Sequence, residues 1–403
     1  MSRLTLADCL RSGDRIVVGQ ACSEPLGLVG QLFALPPPLD PLQVYCGLSF
    51  NPVWAGELPK ALRLTTYCGL GTIGKAVARA RARVVPTSLS QLSAQIASRH
   101  MPVDVVLLQV SPPDADGFHS LGCTLDYVWE AAQVARRVVV EVNTRVPITR
   151  GLGRLHHSQV VVAHESDTAL PEPAAEAPTE AQRAIARRVA GLVPDGATLQ
   201  LGIGGLAAAI AGALKSHRGL KIRSGMAGDW LLDLAESGAL DTTMPDACLA
   251  SLAVGSRRLY ESLSVDGLLG FATPAQLVVP IPGSPRMAIN SAIEVDLAGQ
   301  LNAELLGDRY VGTVGGQTDY FRAARASAGG LAIAALVSVT GQGTSRIVPR
   351  CSHVTSTATD VDLVVTEHGV ADLRGTTLRE RGALIVDLAD PQAREALRRG
   401  AAV

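Results

Sequence analysis

Short apolar runs recur along this chain, each followed by a small-residue turn and then by apolar residues at helical spacing. The clearest case lies in Leu199–Leu234, which begins LQLGIGGLAAAIAGAL and ends IRSGMAGDWLLDL. Thr198 to Leu201 reads as a buried strand. Gly202, Gly204 and Gly205 crowd a turn, and Leu206 to Leu214 is rich in Ala and Leu, which favour helix. Glycines at such a junction let the backbone reach positive φ and let a ligand come close. The helix start offers free N–H groups to an anion. A plain tight connection uses the same residues.

The same pattern predicts a strand at Arg15–Val18 running into a turn and a helix within GDRIVVGQACSEPLGLVGQLFAL. Further strands are predicted around Val44–Tyr45, Arg63–Thr66, Val103–Val110 and Arg137–Val142, with helices at Gln91–Arg99 and Tyr127–Arg136. Later in the chain, strands are predicted at Leu277–Val279, Leu331–Val337 and Leu363–Thr366. Helices follow at Thr377–Ala383 and Pro391–Arg399, the last opened by Asp390 as N-cap. Strands alternating with helices imply mainly parallel sheets with ligands at the strands' carboxyl ends. Two segment pairs match across the halves: Gly13–Leu35 with Gly196–Leu214, and Val103–Gly117 with Val361–Gly375. They imply two tandem α/β domains of related fold. Between the halves, HESDTALPEPAAEAPTEAQ (His164–Gln182) holds three prolines and five acids without periodicity, the composition of a linker centred on Asp167–Thr179. The division is therefore residues 1–170, a linker at 171–182, and residues 183–403. Thr179 and Glu180 lead a helix with Arg183, Arg187 and Arg188 on its polar face.

With 403 residues, 47% of them apolar and 18% charged, the chain has enough material for a large core. Only 3% are aromatic, so Ala, Val, Leu and Ile must fill that core. A net charge of −1 with no long basic run argues against a nucleic-acid partner. The first residues lack the pattern of a signal peptide, and the longest apolar stretch is too short and glycine-rich to span a bilayer. Seven scattered cysteines without CxxC suggest a cytoplasmic protein with reduced thiols and no zinc site.

Several residues can carry chemistry. Ala288–Gln300 reads as an apolar strand that carries Glu294 and Asp296, either as outward carboxylates at period two or as a cleft carboxylate with a raised pKa. In VGTVGGQTDYFRAA, Gly312, Gly315 and Gly316 can present N–H groups to an oxyanion or thioester carbonyl, and Asp319 can cap the next helix. Arg346 in GTSRIVP suits a phosphate, a carboxylate or a surface salt bridge. Glu367, His368, Asp372 and Arg374 follow one buried strand and His119 another. No spacing suits a metal, and no GxSxG elbow or P-loop occurs.

GDRIVVGQACSEP, MPVDVVLLQVSPPDADGF, LQLGIGGLAAAI, INSAIEVDLAGQ, VGTVGGQTDYFRAA, GTSRIVP and VVTEHGVADLRGTTLRER together resemble the acetyl-CoA hydrolase / 4-hydroxybutyrate CoA-transferase family, a branch of the class I CoA-transferases. The resemblance covers nearly the whole chain. It implies two tandem open α/β domains with the active site in a cleft between them, an acyl-CoA substrate without a metal, and a homodimer or larger assembly. It also implies that Gly202, Ile203, Gly204, Gly205 and Leu206 contact CoA, and that Ala292, Gly315 and Gly316 line the thioester end. One segment departs from the family. The family reads like I-H-T-E-M-F-S-D-G-V there, with the glutamate as nucleophile. Here Ile222, Met226 and Asp229 keep the register, Arg223 takes the histidine position and Gly225 the glutamate position. Trp230 stands where the family has a small residue and is expected either to reshape the acyl pocket or to pack in the core.

A ping-pong CoA-transferase needs a carboxylate that forms an acyl anhydride and then a glutamyl thioester. Glycine supplies none. The expected activity is therefore direct acyl transfer to a small acceptor, or thioester hydrolysis, with Glu294, His119, Asp229 or Glu24 as base. The alternatives are a CoA-transferase using another carboxylate such as Glu294, and a CoA-binding protein without catalysis.

Overall fold

A computed structural model describes residues 4–35, 41–149, 151–174, 176–264 and 268–400. Ala175, within the expected linker, lies outside them. The chain forms two compact units. The first comprises Met1–Pro173, Leu249–Leu277 and Tyr310–Gly315, and the second Ala174–Cys248, Val278–Arg309 and Gly316–Val403. The first passage between units falls in the proline-rich linker; the chain then re-enters the first unit twice.

The first unit is built on a seven-stranded sheet in the order Ala82–Val84, Leu62–Thr66, Leu42–Cys46, Arg15–Val18, Val105–Val110, Arg137–Asn143, Val161–Ser166. Every neighbouring pair is parallel. Val105–Val110 is buried at each position, as expected of a strand covered on both faces. Ile16, Val18, Val44 and Leu64 share one core with Leu28 and Leu32 of the helix Leu26–Phe33. Trp54 is wholly buried there, edge-on to Phe33 at 5.1 Å.

In the second unit the strands Lys221–Ala227, Thr198–Gln200, Arg286–Asn290, Leu331–Ala335 and Leu363–Thr366 lie side by side in that order, followed by Gly369–Asp372. Only the last pairing is antiparallel among those with a described register. The helix Glu180–Ala190 starts on a capping box of Thr179 and Gln182, and its Glu180 pairs with Arg183 and Arg187 at 2.9 and 3.1 Å. The helix Gln317–Arg325 packs on Arg286–Asn290 and Leu331–Ala335.

Both sheets reverse their winding at the strand–turn–helix segments that matched in sequence. Arg15–Val18 lies between Leu42–Cys46 and Val105–Val110, and Thr198–Gln200 between Lys221–Ala227 and Arg286–Asn290. Such a switch point opens a crevice at the carboxyl ends of the strands. The second matched pair does not occupy equivalent places. Val105–Val110 adjoins its switch strand, whereas Arg286–Asn290 and Leu331–Ala335 separate Leu363–Thr366 from Thr198–Gln200. That likeness reflects two buried strands meeting the same apolar demand.

Three other expectations are corrected. Leu277 ends the helical turn Pro274–Leu277 instead of opening a strand, because Pro280, Pro282 and Pro285 interrupt pairing until Arg286. The apolar stretch 288–300 is not one strand but two, Arg286–Asn290 and Glu294–Asp296. The last helix spans Arg394–Gly400, and Asp390 instead accepts the Gln392 N–H at 2.9 Å in the turn before it. All seven cysteines are buried and free of disulfides.

Candidate functional site

The glycine turn after Thr198–Gln200 is open to approach. Gly204 adopts φ +94°, which only glycine takes at little cost, and is the N-cap of the helix Gly205–Ala213. Ile203 and Gly204 are exposed. A Cβ at Gly202 or Gly204 would meet nothing within 4 Å, so this backbone is approachable. Trp230 is 4% exposed and donates from Nε1 to the Gly202 carbonyl at 3.0 Å. It braces the turn from below. Trp230→Phe removes that bond and puts a smaller ring in a buried site. It is expected to cost about 2–3 kcal/mol in urea unfolding; unchanged stability would show that neither the bond nor the packing of the indole supports the turn.

The next strand, Lys221–Ala227, brings Gly225 against the helix Gln317–Arg325. A Cβ at Gly225 would lie 3.3 Å from the Tyr320 hydroxyl and 3.4 Å from its ring. A Cβ at Gly316, the N-cap of that helix, would lie 2.6 Å from the same ring. Tyr320, 4% exposed, therefore fills the space beside both glycines. The space beside the glycine at 225 is thus taken up by a residue that sequence reasoning missed. Its signal was a tyrosine four residues after a glycine pair, at the spacing that returns a helical side chain to its own N-terminus.

Two buried arginines attend the same strands. Arg223 donates from Nη1 to the carbonyls of Ile222 and Ala247 at 2.9 and 3.0 Å. Arg286 donates from Nη2 to the Val279 carbonyl at 2.7 Å. Burial lowers the pKa of each guanidinium. On Arg286 the Tyr320 phenol opposes that effect and the Arg223 charge adds to it, so the three groups share one electrostatic neighbourhood. Gln200 and Asn290 bond reciprocally at 2.7 and 3.2 Å across the two central strands.

Glu294 is half-buried and accepts from Asn302 Nδ2 at 3.1 Å. Asp296 does not face outward. It is 1% exposed and accepts from the Ala298, Gln300 and Cys351 N–H groups at 2.9–3.2 Å. Asp229 is the half-buried N-cap of the helix Trp230–Glu236. Ala292 is buried, and its carbonyl accepts from Arg346. Gln317 ties the neighbouring Ser291 carbonyl to the helix start at 2.8 Å. Asp319 lies in the first turn of that helix, whose N-cap is Gly316. Glu367 accepts from Ser338, and Arg374 pairs with Asp372 on an exposed hairpin.

Glu24, His119 and Gly315 belong to the first unit. His119 is 2% exposed, and its Nδ1 lies 2.7 Å from the Ser111 carbonyl, an acceptor that fixes the proton on that nitrogen. Glu24 is 2% exposed and accepts from Ser49 Oγ, Asn51 Nδ2 and Trp54 Nε1 at 2.5, 3.0 and 2.7 Å. Burial pushes its carboxyl up to about 7, against the lowering effect of those donors. Gly315, at φ +52°, donates its N–H to Thr313 Oγ1 at 3.0 Å, and its carbonyl accepts from Leu89. That N–H is committed within the loop rather than presented to an oxyanion.

Family profiles match residues 1–167, as an acetyl-CoA hydrolase/transferase N-terminal domain, and 255–401, as the corresponding C-terminal domain. The 4-hydroxybutyrate coenzyme A transferase of Clostridium kluyveri is 33% identical over 96% of this chain and 94% of its own. The chain belongs to the acetyl-CoA hydrolase/transferase family. Other members include a succinyl-CoA:acetate/propanoyl-CoA:succinate CoA transferase of Fasciola hepatica, 31% identical over 97% of this chain and 85% of its own. Among solved structures, RipA from Yersinia pestis superposes with a TM-score of 0.87 at 28% identity, over 97% of this chain and 94% of RipA. The 4-hydroxybutyrate CoA-transferase of Porphyromonas gingivalis gives 0.81 at 29%, over 98% and 94%.

Proposed function

We propose that this family member acts on acyl-CoA thioesters by direct attack of water or a small acceptor on the acyl carbonyl, without a glutamyl-CoA intermediate. The attacking oxygen or nitrogen bonds to the carbonyl carbon, the carbon–sulfur bond breaks, and CoA leaves as a thiolate that takes up a proton. The observation that carries this reading is the pair Gly225 and Tyr320. Where the resemblance puts the family's nucleophilic glutamate, this chain has no side chain, and a phenol stands in the space beside it. Arg223 and Arg286 supply a positive field in that neighbourhood instead of a carboxylate. Such a field favours a carbonyl oxygen gaining negative charge. The exposed glycine turn at Gly202–Leu206 suits the CoA moiety, because its backbone is open to close approach.

The test is a panel of short acyl-CoAs incubated with pure protein in H2¹⁸O, with and without acetate, followed by mass spectrometry and borohydride challenge. Expected are CoA release that does not require acetate, ¹⁸O in the acid when water is the acceptor, and no loss of activity with borohydride. Acetate-dependent acetyl-CoA formation together with a CoA adduct on the Glu294 peptide would overturn this reading in favour of a relocated carboxylate. CoA binding without turnover of any thioester would leave a binding protein.

A further inference from the structure

Arg346 follows the exposed loop 341–344; its N–H donates to the Ser338 carbonyl at 2.8 Å and its carbonyl accepts from Val295 at 2.9 Å. The side chain is half-buried. Its one hydrogen bond among the described residues runs from Nη1 to the Ala292 carbonyl, a long 3.3 Å. Among the described residues Nε is buried with no partner, and no carboxylate pairs with the guanidinium. Burial alone acts on its charge, pulling its pKa down.

A buried donor left unsatisfied on a charged group is costly. Nearby, the protein satisfies Asp296 with backbone donors and Glu367 with Ser338. Arg346 receives no such treatment. Its place adds a second observation. Ala292 and Ser338 follow Arg286–Asn290 and Leu331–Ala335, adjacent parallel strands, so Arg346 sits at the carboxyl ends of the sheet beside its switch strand. Ligands of open α/β sheets bind at that edge. The fork of a guanidinium matches two oxygens of one oxyanion.

We propose that Arg346 is an anion-binding residue whose half-buried guanidinium takes a carboxylate or phosphate, and so recognises either the acid that enters or leaves the reaction or a phosphate of CoA. This rests on the acyl-CoA reading for the identity of the ligands but not for the binding itself. The test is isothermal titration of the full chain with succinate and, separately, with CoA, for the protein itself, Arg346→Gln and Arg346→Lys. Neither titration needs turnover, so failure of the proposed reaction leaves it intact. Arg346→Gln is expected to weaken one probe about tenfold and leave the other within about twofold, with Arg346→Lys between, since an ammonium keeps the charge but not the fork. Loss of succinate binding assigns the site to the free acid, and loss of CoA binding assigns it to a phosphate. Melting temperature provides the structural control: Arg346→Gln should melt at or above the unaltered chain, because it removes an unsatisfied buried cation. Equal binding of both probes by all three proteins, no binding of either probe, or a clear fall in melting temperature would overturn the proposal.

Discussion

Gly225→Glu alone is expected to leave CoA exchange between an acyl-CoA and a free acid at its starting level, whereas Gly225→Glu with Tyr320→Phe should raise it about a thousandfold or more. The reason is steric and local. A Cβ at 225 meets the Tyr320 hydroxyl at 3.3 Å, tighter than nine in ten natural contacts of that kind, so the hydroxyl must give way. The ring cannot retreat freely, because it also packs against Gly316, where a Cβ would come within 2.6 Å. Removing the hydroxyl leaves the ring at 3.4 Å from the new Cβ, an ordinary contact. Arg223 and Arg286 then provide a cationic setting in which a carboxylate stays ionised and nucleophilic. Exchange is followed by mass spectrometry of the acyl-CoA pool, and the intermediate by borohydride inactivation mapped to the peptide containing position 225. Equal activity of the single and double variants would show that Tyr320 is no obstacle. A folded double variant with no exchange and no trapped peptide would show that position 225 is not where the thioester is attacked.

The second large effect is on stability. Glu24→Ala should cost about 4 kcal/mol, whereas Glu24→Gln should cost less than about 1 kcal/mol at neutral pH. Alanine strands Ser49 Oγ, Asn51 Nδ2 and the indole Nε1 of the fully buried Trp54 at once. Glutamine keeps an oxygen for Asn51 and Trp54 and turns an amide toward the Ser49 hydroxyl, which can accept. Acidity separates the two effects. The carboxyl titrates at about 7 in the fold against an ordinary 4.5, so between those values the folded state holds a proton that the unfolded chain has lost. Stability from this group is complete below pH 4.5 and declines as pH rises through 7. Burial also pushes Glu130 up to about 7, which adds a change of the same sign. Urea unfolding at pH 5 and pH 8 should therefore show the protein weaker at pH 8, on the order of 2 kcal/mol from Glu24. Glu24→Gln should reduce that difference. A difference that is absent, or of opposite sign, would mean that Glu24 is ionised in the fold.

Much of the architecture was legible in the one-dimensional pattern. Arg15–Val18 and Leu363–Thr366 occur with the expected bounds, and Gly205–Ala213 follows its glycine turn as expected. The reason is local: alternating apolar runs and small-residue turns each satisfy their own backbone, and Thr179 with Gln182 closes its capping box over four residues. The switch strand of each sheet was also marked, by the repeated strand–turn–helix segment. What the pattern could not specify is which distant segment each residue meets. Asp296 and Glu294 share one period in sequence, yet one is enclosed by backbone donors and the other half-open, because only the return of Cys351 and Gln300 encloses the first. His119 and Glu24 read as loop acid–base groups, and the fold seals both behind partners.

Sequence by itself determined the family, an α/β fold and a glycine at 225, but not that Leu249–Leu277 and Tyr310–Gly315 return to the first unit. It could do so because motif spacing and hydrophobic period are properties of the chain that no contact needs to reveal. Tertiary structure alone decided that Tyr320 fills the space beside that glycine, that Trp230 braces the Gly202 turn, and that Arg346 keeps a buried N–H without a partner among the described residues. Each depends on a contact between segments dozens of residues apart, and side-chain packing at such range is fixed by the closing of the sheet rather than by local propensity.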